Sequence, residues 1–385
     1  MPKSSTPSGG THASPRPDVL ASITDTTVLS AVATAVEPIS RAEIAQLTGL
    51  SKPGVAAAAK RLFERGVIEE TGIREGRRGG VATLFQLNVD HGRSVAIVIQ
   101  STAITVESRD LSGTVRTTQE EPVTASASAT EIVAIANRLI AAVAQQHPAP
   151  LLAAAVSIAD PVDYASGTPV KLERSVFPAA AQSALTDLTL PDTAHVMIDN
   201  DVNWATLGEY RQGELRGQDD FLYVYGGQGL GAGLMLNGRL YRGRGGLAGE
   251  IGYLLTDDSE HPLDLTQRLV ELGLGTPGRY EIDLDRAAEI LGEAVVDGAV
   301  IDVLARAIAN IVITLNPSAV AFGGPLSAYP AFIEQLSSQV SALSLDPPQF
   351  LRSQSTPLLG AGMEAHLSAL TSIGLTDADT HRRTS

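Results

Sequence analysis

The sequence predicts an α/β protein with two parts: a small helical N-terminal domain that ends in a β-hairpin, and a larger domain with two lobes. Three observations support this prediction. The 385 residues exceed the roughly 250–300 residues at which a single hydrophobic core stops growing. Short helical segments come first, and from about Ser94 strands alternate with helices. The strand and helix order of this later part occurs twice, which predicts two lobes.

Charge and residue usage exclude several classes of protein. The net charge is −15, but residues 1–90 carry ten basic and nine acidic residues, so the negative excess lies in the later part. Any contact with nucleic acid must therefore come from the first part. The chain has no cysteine, which excludes disulfides, thiol nucleophiles and thiolate zinc sites. Its seven histidines show no HxxxH or HxH spacing, and we expect neither a metal nor a cofactor.

The boundaries of the two domains follow from composition. Residues 1–17 are rich in Ser, Pro, Thr and Gly, and residues 376–385 are similarly polar, so both are predicted to be disordered tails. Between them we expect one domain at residues 18–90 and a second at residues 91–375. No uncharged apolar run of about 20 residues and no signal-peptide pattern is found, so we expect a cytoplasmic protein with no membrane partner.

Three short helices are predicted in the first domain. Their sequences are DVLASITDTTVLSAVATA, SRAEIAQLTGL and SKPGVAAAAKRLFERGVIEE. Ser40 and Ser51 are suited to cap the second and third helices, and Glu43 completes a capping box with Ser40. Pro53 falls in the first turn of the third helix, where its missing N–H breaks no helical hydrogen bond.

The tight TGLS turn between the second and third helices indicates a helix-turn-helix. The alternating sequence GVIEETGIREGRRGGVATLFQLN that follows indicates two strands around a basic tip, a wing. Because these features occur together and in order, we prefer a winged DNA-binding domain to a small helical adaptor. The third helix offers base edges methyl groups and few hydrogen-bonding groups. The candidate DNA-contacting residues are Ser51, Lys52, Lys60 and Arg61, with Arg74, Arg77 and Arg78 on the wing suited to a minor groove.

The larger part contains two similar rounds of strands and helices. The first contains SVAIVIQSTAITVESRDLSGTV, with a turn at DLSG, then the helix ATEIVAIANRLIAAVAQQ and the strand LLAAAVSIAD. The second contains DFLYVYGGQGLGAGLMLNGRLY and later the helix and strand RAIANIVITLNPSAVAFGG. Two such halves around a ligand cleft are typical of the actin/hexokinase-like (ribonuclease H-like) arrangement.

Several motifs then resemble one family, the ROK family of repressors, open reading frames and kinases, in its regulator branch. They are the headpiece SRAEIAQLTGLSKPGVAAAAKRLFERGVIEE, the segment MIDNDVNWATLGE, the segment GGQGLGAGLMLNGRLYRGRGGLAGEIGY and the segment LNPSAVAFGG. The resemblance extends from Val19 to about Gly374. It implies a winged helix-turn-helix followed by a two-lobed ROK domain that binds a sugar in its cleft.

One departure from the family concerns the phosphate loop. ROK kinases carry a DxGGT loop, and the corresponding residues here are VIQST, residues 98–102. The acidic residue and both glycines are missing. Phosphoryl transfer depends on positioning and on charge neutralisation, so we expect no kinase activity and no catalytic residue. The Gly-rich turn at residues 226–233 is interpreted as a structural turn.

The resemblance assigns sugar contacts to three acidic or amide residues. Asn200 and Asp201 match the family's sugar-binding pair, and Glu250 matches its sugar-contacting Glu. Carboxylates accept and amides both donate and accept hydrogen bonds, which suits a polyol in a desolvated cleft. The alternative for the segment DND is a turn that only caps the following helix.

Two further effector positions depart from the family pattern. Tyr253 replaces a histidine that binds sugar and zinc in relatives, and the cysteine cluster that completes their zinc site is absent. This paired loss predicts a zinc-free variant, in which Tyr253 either contacts the ligand or fills the vacated space. Gln267 corresponds to a further sugar-contacting Glu, within a residue or two.

The predicted function is a repressor that binds a double-stranded DNA operator, an inverted repeat, as a homodimer or tetramer and responds to a sugar by a population shift. Two alternatives remain open. The larger domain could have lost sugar binding and serve for oligomerisation or protein partners, or the chain could be a sugar kinase with an unusual nucleotide loop.

Overall fold

The computed structural model describes residues 17–75, 81–124, 126–172, 174, 175, 177, 180, 185–376 and 379. The chain divides into two compact units. Of the described residues, those from Pro17 to His91 and from Leu370 onward form the N-terminal unit, and those within Gly92–Ala369 form the larger unit. Except for Pro17, the predicted N-terminal tail lies outside the described residues, as does most of the predicted C-terminal tail.

Residues 370–376 and Asp379 group with the N-terminal unit, whereas the sequence prediction places residues up to 375 in the second domain. Gly374 lies beside Thr26: a Cβ added at Gly374 would be 3.8 Å from the Thr26 hydroxyl oxygen. The Ser30 hydroxyl donates a hydrogen bond to Asp379. These contacts join residues more than 340 positions apart, which no local sequence pattern indicates.

Between Pro17 and Leu87, the described residues of the N-terminal unit form three helices and three strands, and the order of the strands in its antiparallel sheet is β1-β3-β2. The elements are α1 (Pro17–Thr34), β1 (Ile39–Ser40), α2 (Arg41–Thr48), α3 (Lys52–Glu64), β2 (Ile68–Glu75) and β3 (Val81–Leu87). The antiparallel pair β2 and β3 is the predicted hairpin, and its tip at residues 76–80 lies outside the described residues.

The predicted helix caps are confirmed. The Ser40 hydroxyl accepts the N–H of Glu43, whose carboxylate accepts the N–H of Ser40, so the capping box is complete. Ser51 caps α3 by accepting the N–H of Gly54 at 3.2 Å. Gly49, at φ +70, ends α2 in the left-handed conformation, which glycine adopts at little cost.

The first lobe of the larger unit has a five-stranded sheet of order β10-β7-β4-β5-β6. Its main elements are β4 (Arg93–Ile99), β5 (Ala103–Asp110), β6 (Val115–Pro122), α4 (Ala129–Gln146), β7 (Leu151–Ile158), the short pair β8 (Val162–Asp163) and β9 (Thr168–Pro169), and β10 (His195–Asn200). Strands β10, β7 and β4 are parallel. The apolar face of α4 packs on one side of this sheet.

The second lobe has a five-stranded sheet of order β13-β12-β11-β14-β15. Its elements are β11 (Phe221–Gly226), β12 (Leu230–Leu236), β13 (Arg239–Tyr241), α6 (Leu265–Leu269), α7 (Leu284–Leu291), α8 (Gly298–Leu315), β14 (Ala319–Gly323), α9 (Pro330–Leu343) and β15 (Gln349–Arg352). Alternate residues of β11 and β14 face opposite sides, so Leu222 and Phe322 join the core with α8 and α9.

Helix α8 is long and apolar enough, by length and composition, to cross a membrane, and it is the only such helix among the described residues. Eight of its residues are buried, and most of these belong to the core of the second lobe. Its composition is therefore explained by packing inside the lobe.

Two helices lie between the sheets, α5 (Asp201–Gln212) and α10 (Pro357–Ser372). Trp204 of α5 packs with Ala96 of the first sheet and Ala361 of α10, and Val202 packs against the second sheet. The close approach of α5 to β12 requires Gly233, because a Cβ there would lie 1.7 Å from Thr206 Oγ1. The glycine-rich segment is thus needed for helix packing, and α5 carries the predicted sugar residues into the cleft.

Candidate functional site

A cavity of about 140 Å³ lies in the cleft between the two lobes. The first lobe contributes residues that follow β4 and β7, and the second contributes the β11–β12 turn and the segment around Glu250. The charged residues on its wall are Asp160, Arg174, Asp201, Glu250 and Asp264. A small polar ligand could therefore meet carboxylates from both lobes.

Asn200 and Asp201 lie where β10 ends and α5 begins, and each is 8% exposed. Asn200 caps α5: its Oδ1 accepts the N–H of Val202 at 2.9 Å, and its Nδ2 donates to the carbonyl of Ala159 at 3.0 Å. Asp201 Oδ1 also accepts the Val202 N–H, at 2.8 Å. Much of the hydrogen-bonding capacity of Asn200 is therefore used by the backbone, whereas Asp201 keeps a carboxylate oxygen for a ligand.

Asp199, next to this pair, has a different role. It is fully buried, and Oδ1 accepts hydrogen bonds from the backbone N–H of Asn200 at 2.8 Å and from Asn203 Nδ2 at 2.7 Å. Oδ2 accepts a hydrogen bond from Arg242 Nε at 2.7 Å. Asp199 therefore anchors the strand end and is not on the cavity wall.

Glu250 is held at the cavity by the segment before it. Gly249 has φ +90, and a Cβ there would lie 1.8 Å from the carbonyl oxygen of Ala232, so only glycine permits this approach to β12. The Ala232 N–H donates to the Gly249 carbonyl at 2.8 Å. The Glu250 side chain makes no hydrogen bond with any described residue, which leaves its carboxylate available to a ligand.

Asp160 is a third cavity carboxylate, and the sequence reasoning missed it. It follows the buried strand β7, is 2% exposed and accepts a hydrogen bond from Ser175 Oγ at 2.9 Å. Burial raises the pKa of Asp160 to about 6. Burial and the neighbouring carboxylates raise the pKa of Asp201 and of Glu250 to about 7. An acidic residue directly after an apolar strand was the available signal.

Tyr253 lies at the cavity with its ring against a guanidinium. Arg174 Cζ is 4.8 Å from the Tyr253 ring centroid and 4.9 Å from that of Tyr280. Arg174 also forms an ion pair with Asp264. Neither Arg174 nor Tyr280 was predicted, because they lie in segments without a periodic pattern.

Gln267 is not on the cavity wall. Asp264 caps α6, and Gln267 completes its capping box: Gln267 Oε1 accepts the Asp264 N–H at 3.0 Å, and Asp264 Oδ1 accepts the Gln267 N–H at 2.8 Å. Its neighbour Thr266 and the capping residue Asp264 line the cavity. The structure therefore does not place the Gln267 side chain at the cavity, where the sequence predicted an effector contact within a residue or two of it.

The loop that corresponds to the kinase phosphate loop contacts the other lobe. Ser101 Oγ donates a hydrogen bond of 2.6 Å to Gln228 Oε1, in the β11–β12 turn. The segment after β4 and the β11–β12 turn are thus linked by neutral side chains. Among the described residues no group of three or more His, Asp or Glu side chains is placed to hold a metal ion.

The candidate DNA-contacting residues fall into three groups. Ser51, at the N-cap of α3, and Lys52 and Lys60 within the helix are exposed, and Lys60 lies 3.7 Å from Glu64. Arg61 instead pairs with Asp25 of α1, its Nε 3.1 Å from both carboxylate oxygens. Internal pairing thus makes Arg61 less available to DNA than the two lysines.

The wing arginines are placed only in part. Arg74 Nη1 donates to Glu43 Oε1 at 2.6 Å, and Nη2 donates to the Pro38 carbonyl at 3.3 Å. Arg74 therefore ties the hairpin to α2. Arg77 and Arg78 lie outside the described residues.

Comparisons with known proteins match part of the larger unit. A family model described as ROK family matches residues 94–264. A xylose repressor of Bacillus subtilis is 26% identical over 226 residues, 57% of each chain. The chain spans about half the length of the curated relatives it matches.

Two solved structures show the same fold. The crystal structure of a ROK family transcriptional regulator, a homologue of the E. coli MLC protein, has a TM-score of 0.63 at 19% identity and covers 94% of this chain and 99% of its own. A ROK hexokinase from Thermus thermophilus has a TM-score of 0.53 at 19% identity, over 73% and 99%. The predicted α/β, hexokinase-like fold of the larger unit is confirmed, and the chain carries a ROK family domain at residues 94–264.

Proposed function

We propose that the chain is a cytoplasmic transcriptional regulator, a repressor, that binds operator DNA through its N-terminal unit and senses a sugar or sugar derivative in the cleft of its larger unit. The observation that carries this proposal is the wall of Asn200, Asp201 and Glu250 in the cavity. It is supported by the similarity to a xylose repressor and by a helical unit suited to DNA.

The N-terminal unit supports DNA binding through its geometry. Helices α2 and α3 are joined by the turn at Gly49, and α3 buries Val55 and Leu62 while it exposes Lys52 and Lys60. A winged helix-turn-helix has this arrangement: the apolar side of its recognition helix is buried, and the exposed basic side, next to a hairpin, enters the major groove. We therefore propose that α3 is the recognition helix and that β2 and β3 form the wing.

Sensing without phosphoryl transfer is the second part of the proposal. The segment 98–102 has no acidic residue and no glycine, and Ser101 is bonded to Gln228 across the cleft. To bind a nucleoside triphosphate, this segment would have to let the backbone approach the phosphates and help to hold a cation that neutralises their charge. The similarity of the larger unit to a ROK hexokinase concerns its fold.

We propose that the regulator acts as a homodimer or a tetramer. One N-terminal unit offers only a few phosphate contacts, whereas a symmetric pair reads an inverted repeat. Ligand binding would close the cleft and favour a placement of the two N-terminal units that does not match the operator.

A second candidate is a regulator whose larger unit no longer binds a sugar and serves as an oligomerisation scaffold. Two contacts favour this second candidate. The Asn200 amide already makes hydrogen bonds to the backbone, and Arg174 covers one face of the Tyr253 ring. Both contacts reduce the number of protein groups that could bond to a sugar. Sugar hydroxyls left without a partner in the cleft lower the affinity for the sugar steeply.

The test is fluorescence anisotropy of the protein on labelled DNA from upstream of its own gene, at one stated salt concentration, with a panel of monosaccharides, disaccharides and sugar phosphates. A change with one sugar supports the sensor, and specific binding that no sugar alters supports the scaffold. Failure to prefer this DNA over a scrambled duplex would contradict both. An ATP-turnover assay with the same panel tests the absence of kinase activity.

A further inference from the structure

Arg174 joins the two lobes across the wall of the cleft. It belongs to the first lobe, whereas Tyr253, Tyr280 and Asp264 belong to three separate segments of the second lobe. Its guanidinium lies 4.8 and 4.9 Å from the two ring centroids and forms an ion pair with the carboxylate. All four residues line the cavity. We call this group the clasp.

Each side of the clasp is fixed to the core of its own lobe. Phe177, three residues after Arg174, is buried in the core of the first lobe. Ile251, Leu265 and Ile282 are buried in the core of the second lobe, and each lies one or two residues from a clasp member. The lobes therefore cannot separate at this point without breaking the ion pair and both ring contacts.

The chemistry of the clasp suits arginine. A guanidinium is planar, stacks on aromatic faces and donates to a carboxylate in the same plane, whereas an ammonium cannot make all these contacts together. The Asp264 side chain is 6% exposed, and its other oxygen caps α6. Loss of Arg174 would leave this buried carboxylate without its counter-charge.

The clasp also controls the segment that carries Glu250. The Tyr253 N–H donates to the Glu250 carbonyl at 3.2 Å, within one short turn. Burial raises the pKa of Tyr253, and the Arg174 charge opposes that rise, so the phenol and the guanidinium interact in a partly desolvated setting. The Tyr253 ring that Arg174 contacts therefore belongs to the same short turn as Glu250, and both residues line the cavity.

We propose that Arg174 is a positioning residue for the effector: through the clasp it holds the lobes together and fixes Glu250 at the cavity, so that the cleft retains its ligand. This inference rests on the proposed function, because it concerns the same cleft. The clasp itself is a property of the protein without any ligand and can be tested separately.

The absence of cysteine allows a direct distance measurement. Ala141→Cys on α4 and Ser338→Cys on α9 place one nitroxide label on each lobe at exposed positions, and pulsed electron paramagnetic resonance measures their separation in the full chain. We expect R174Q to broaden the distance distribution and shift it to longer distances, R174K to do so nearly as much, and Y280L to do so less. The matched control is R138Q, because Arg138 pairs with Glu121 within the first lobe.

The outcomes separate the clasp from the sensor. An R174Q distribution equal to that of R138Q would overturn the clasp, whatever sugars do. If R174Q does not fold, as judged by circular dichroism, R174K and Y280L carry the same test, and unchanged distances in both overturn it.

The positioning role has its own measurement. For the sugar that alters DNA binding, we expect R174K to raise the half-effective concentration about tenfold or more, whereas R138Q leaves both this concentration and the DNA affinity without sugar as in the wild type. A changed distance with an unchanged half-effective concentration would refute the positioning role. A preference for sugar phosphates that is lost in R174K would assign Arg174 to anion binding instead.

Discussion

The cleft and the exposed face of α3 carry their charges in opposite ways. In the cleft, Asp160, Asp201 and Glu250 are desolvated, and burial raises the pKa of each. On α3, Lys52 and Lys60 are exposed to solvent. Buried carboxylates interact over hydrogen-bond distances and select by geometry, whereas exposed lysines act over a Debye length and are weakened by salt. Substitutions in the two regions should therefore change different observables.

The largest expected effect is on the effector response. Asp201→Ala removes a carboxylate that is 8% exposed on the cavity wall, and a ligand hydroxyl would lose a charge-assisted partner. We expect the half-effective sugar concentration to rise at least about a hundredfold, with unchanged affinity for DNA in the absence of sugar. Anisotropy titrations measure both quantities, and a retained response would remove Asp201 from the site.

The buried carboxylates also predict how stability depends on pH. The pKa values of Asp201 and Glu250 rise from 3.8 and 4.5 to about 7, so between these values the folded protein binds more protons than the unfolded chain. The free energy of unfolding contributed by these groups must then fall as the pH rises from about 4.5 to above 7. Thermal unfolding at pH 5 and pH 8 measures this fall.

The control for the pH dependence is the pair Asp201→Asn and Glu250→Gln, which mimic the protonated shapes. We expect the difference in melting temperature between pH 5 and pH 8 to shrink by several degrees in the double variant. A wild-type protein that gains stability over this range through the same two residues would contradict the assignment.

A smaller effect is expected on the other side of the comparison. Lys52→Ala removes one exposed charge at the start of α3. We expect severalfold weaker operator binding, and a slope of log affinity against log salt that is less steep by about one per protein chain. Anisotropy at four salt concentrations measures the slope, and an unchanged slope would exclude a phosphate contact by Lys52.

Local signals predicted the parts of the molecule that depend on neighbouring residues. The starts of α2 and α3 depend on segments of at most four residues, Ser40 to Glu43 and Ser51 to Pro53. Both predicted caps, Ser40 and Ser51, are present. The helix ATEIVAIANRLIAAVAQQ coincides with α4, because its apolar spacing matches a single face. Asn200 and Asp201 were found through a motif that lies directly at a strand end.

Contacts between distant segments could not be predicted in this way. Arg174 meets Asp264 across 90 positions and two lobes, and no periodicity relates them. Gln267 was assigned to the cavity, although its side chain serves the cap at Asp264, because an alignment gives no side-chain direction. Arg61 was placed with the exposed lysines, but it lies beside the buried Leu62 and Ala58 on α3 and reaches Asp25.

The smallest effect distinguishes Arg61 from its neighbour Lys60 within one helix. Arg61→Gln breaks the pair with Asp25, whose side chain is only 15% exposed, so we expect the N-terminal unit to lose about 1–2 kcal/mol in its free energy of unfolding. Lys60→Gln breaks an exposed pair with Glu64 and should cost less than about 0.5 kcal/mol. Urea denaturation of the full chain measures both, and DNA affinity should show the reverse order, because the exposed pair of Lys60 with Glu64 is weak and leaves the ammonium accessible to a phosphate. Equal losses of stability in the two variants would mean that the pair of Arg61 with Asp25 contributes no more than the exposed pair of Lys60 with Glu64.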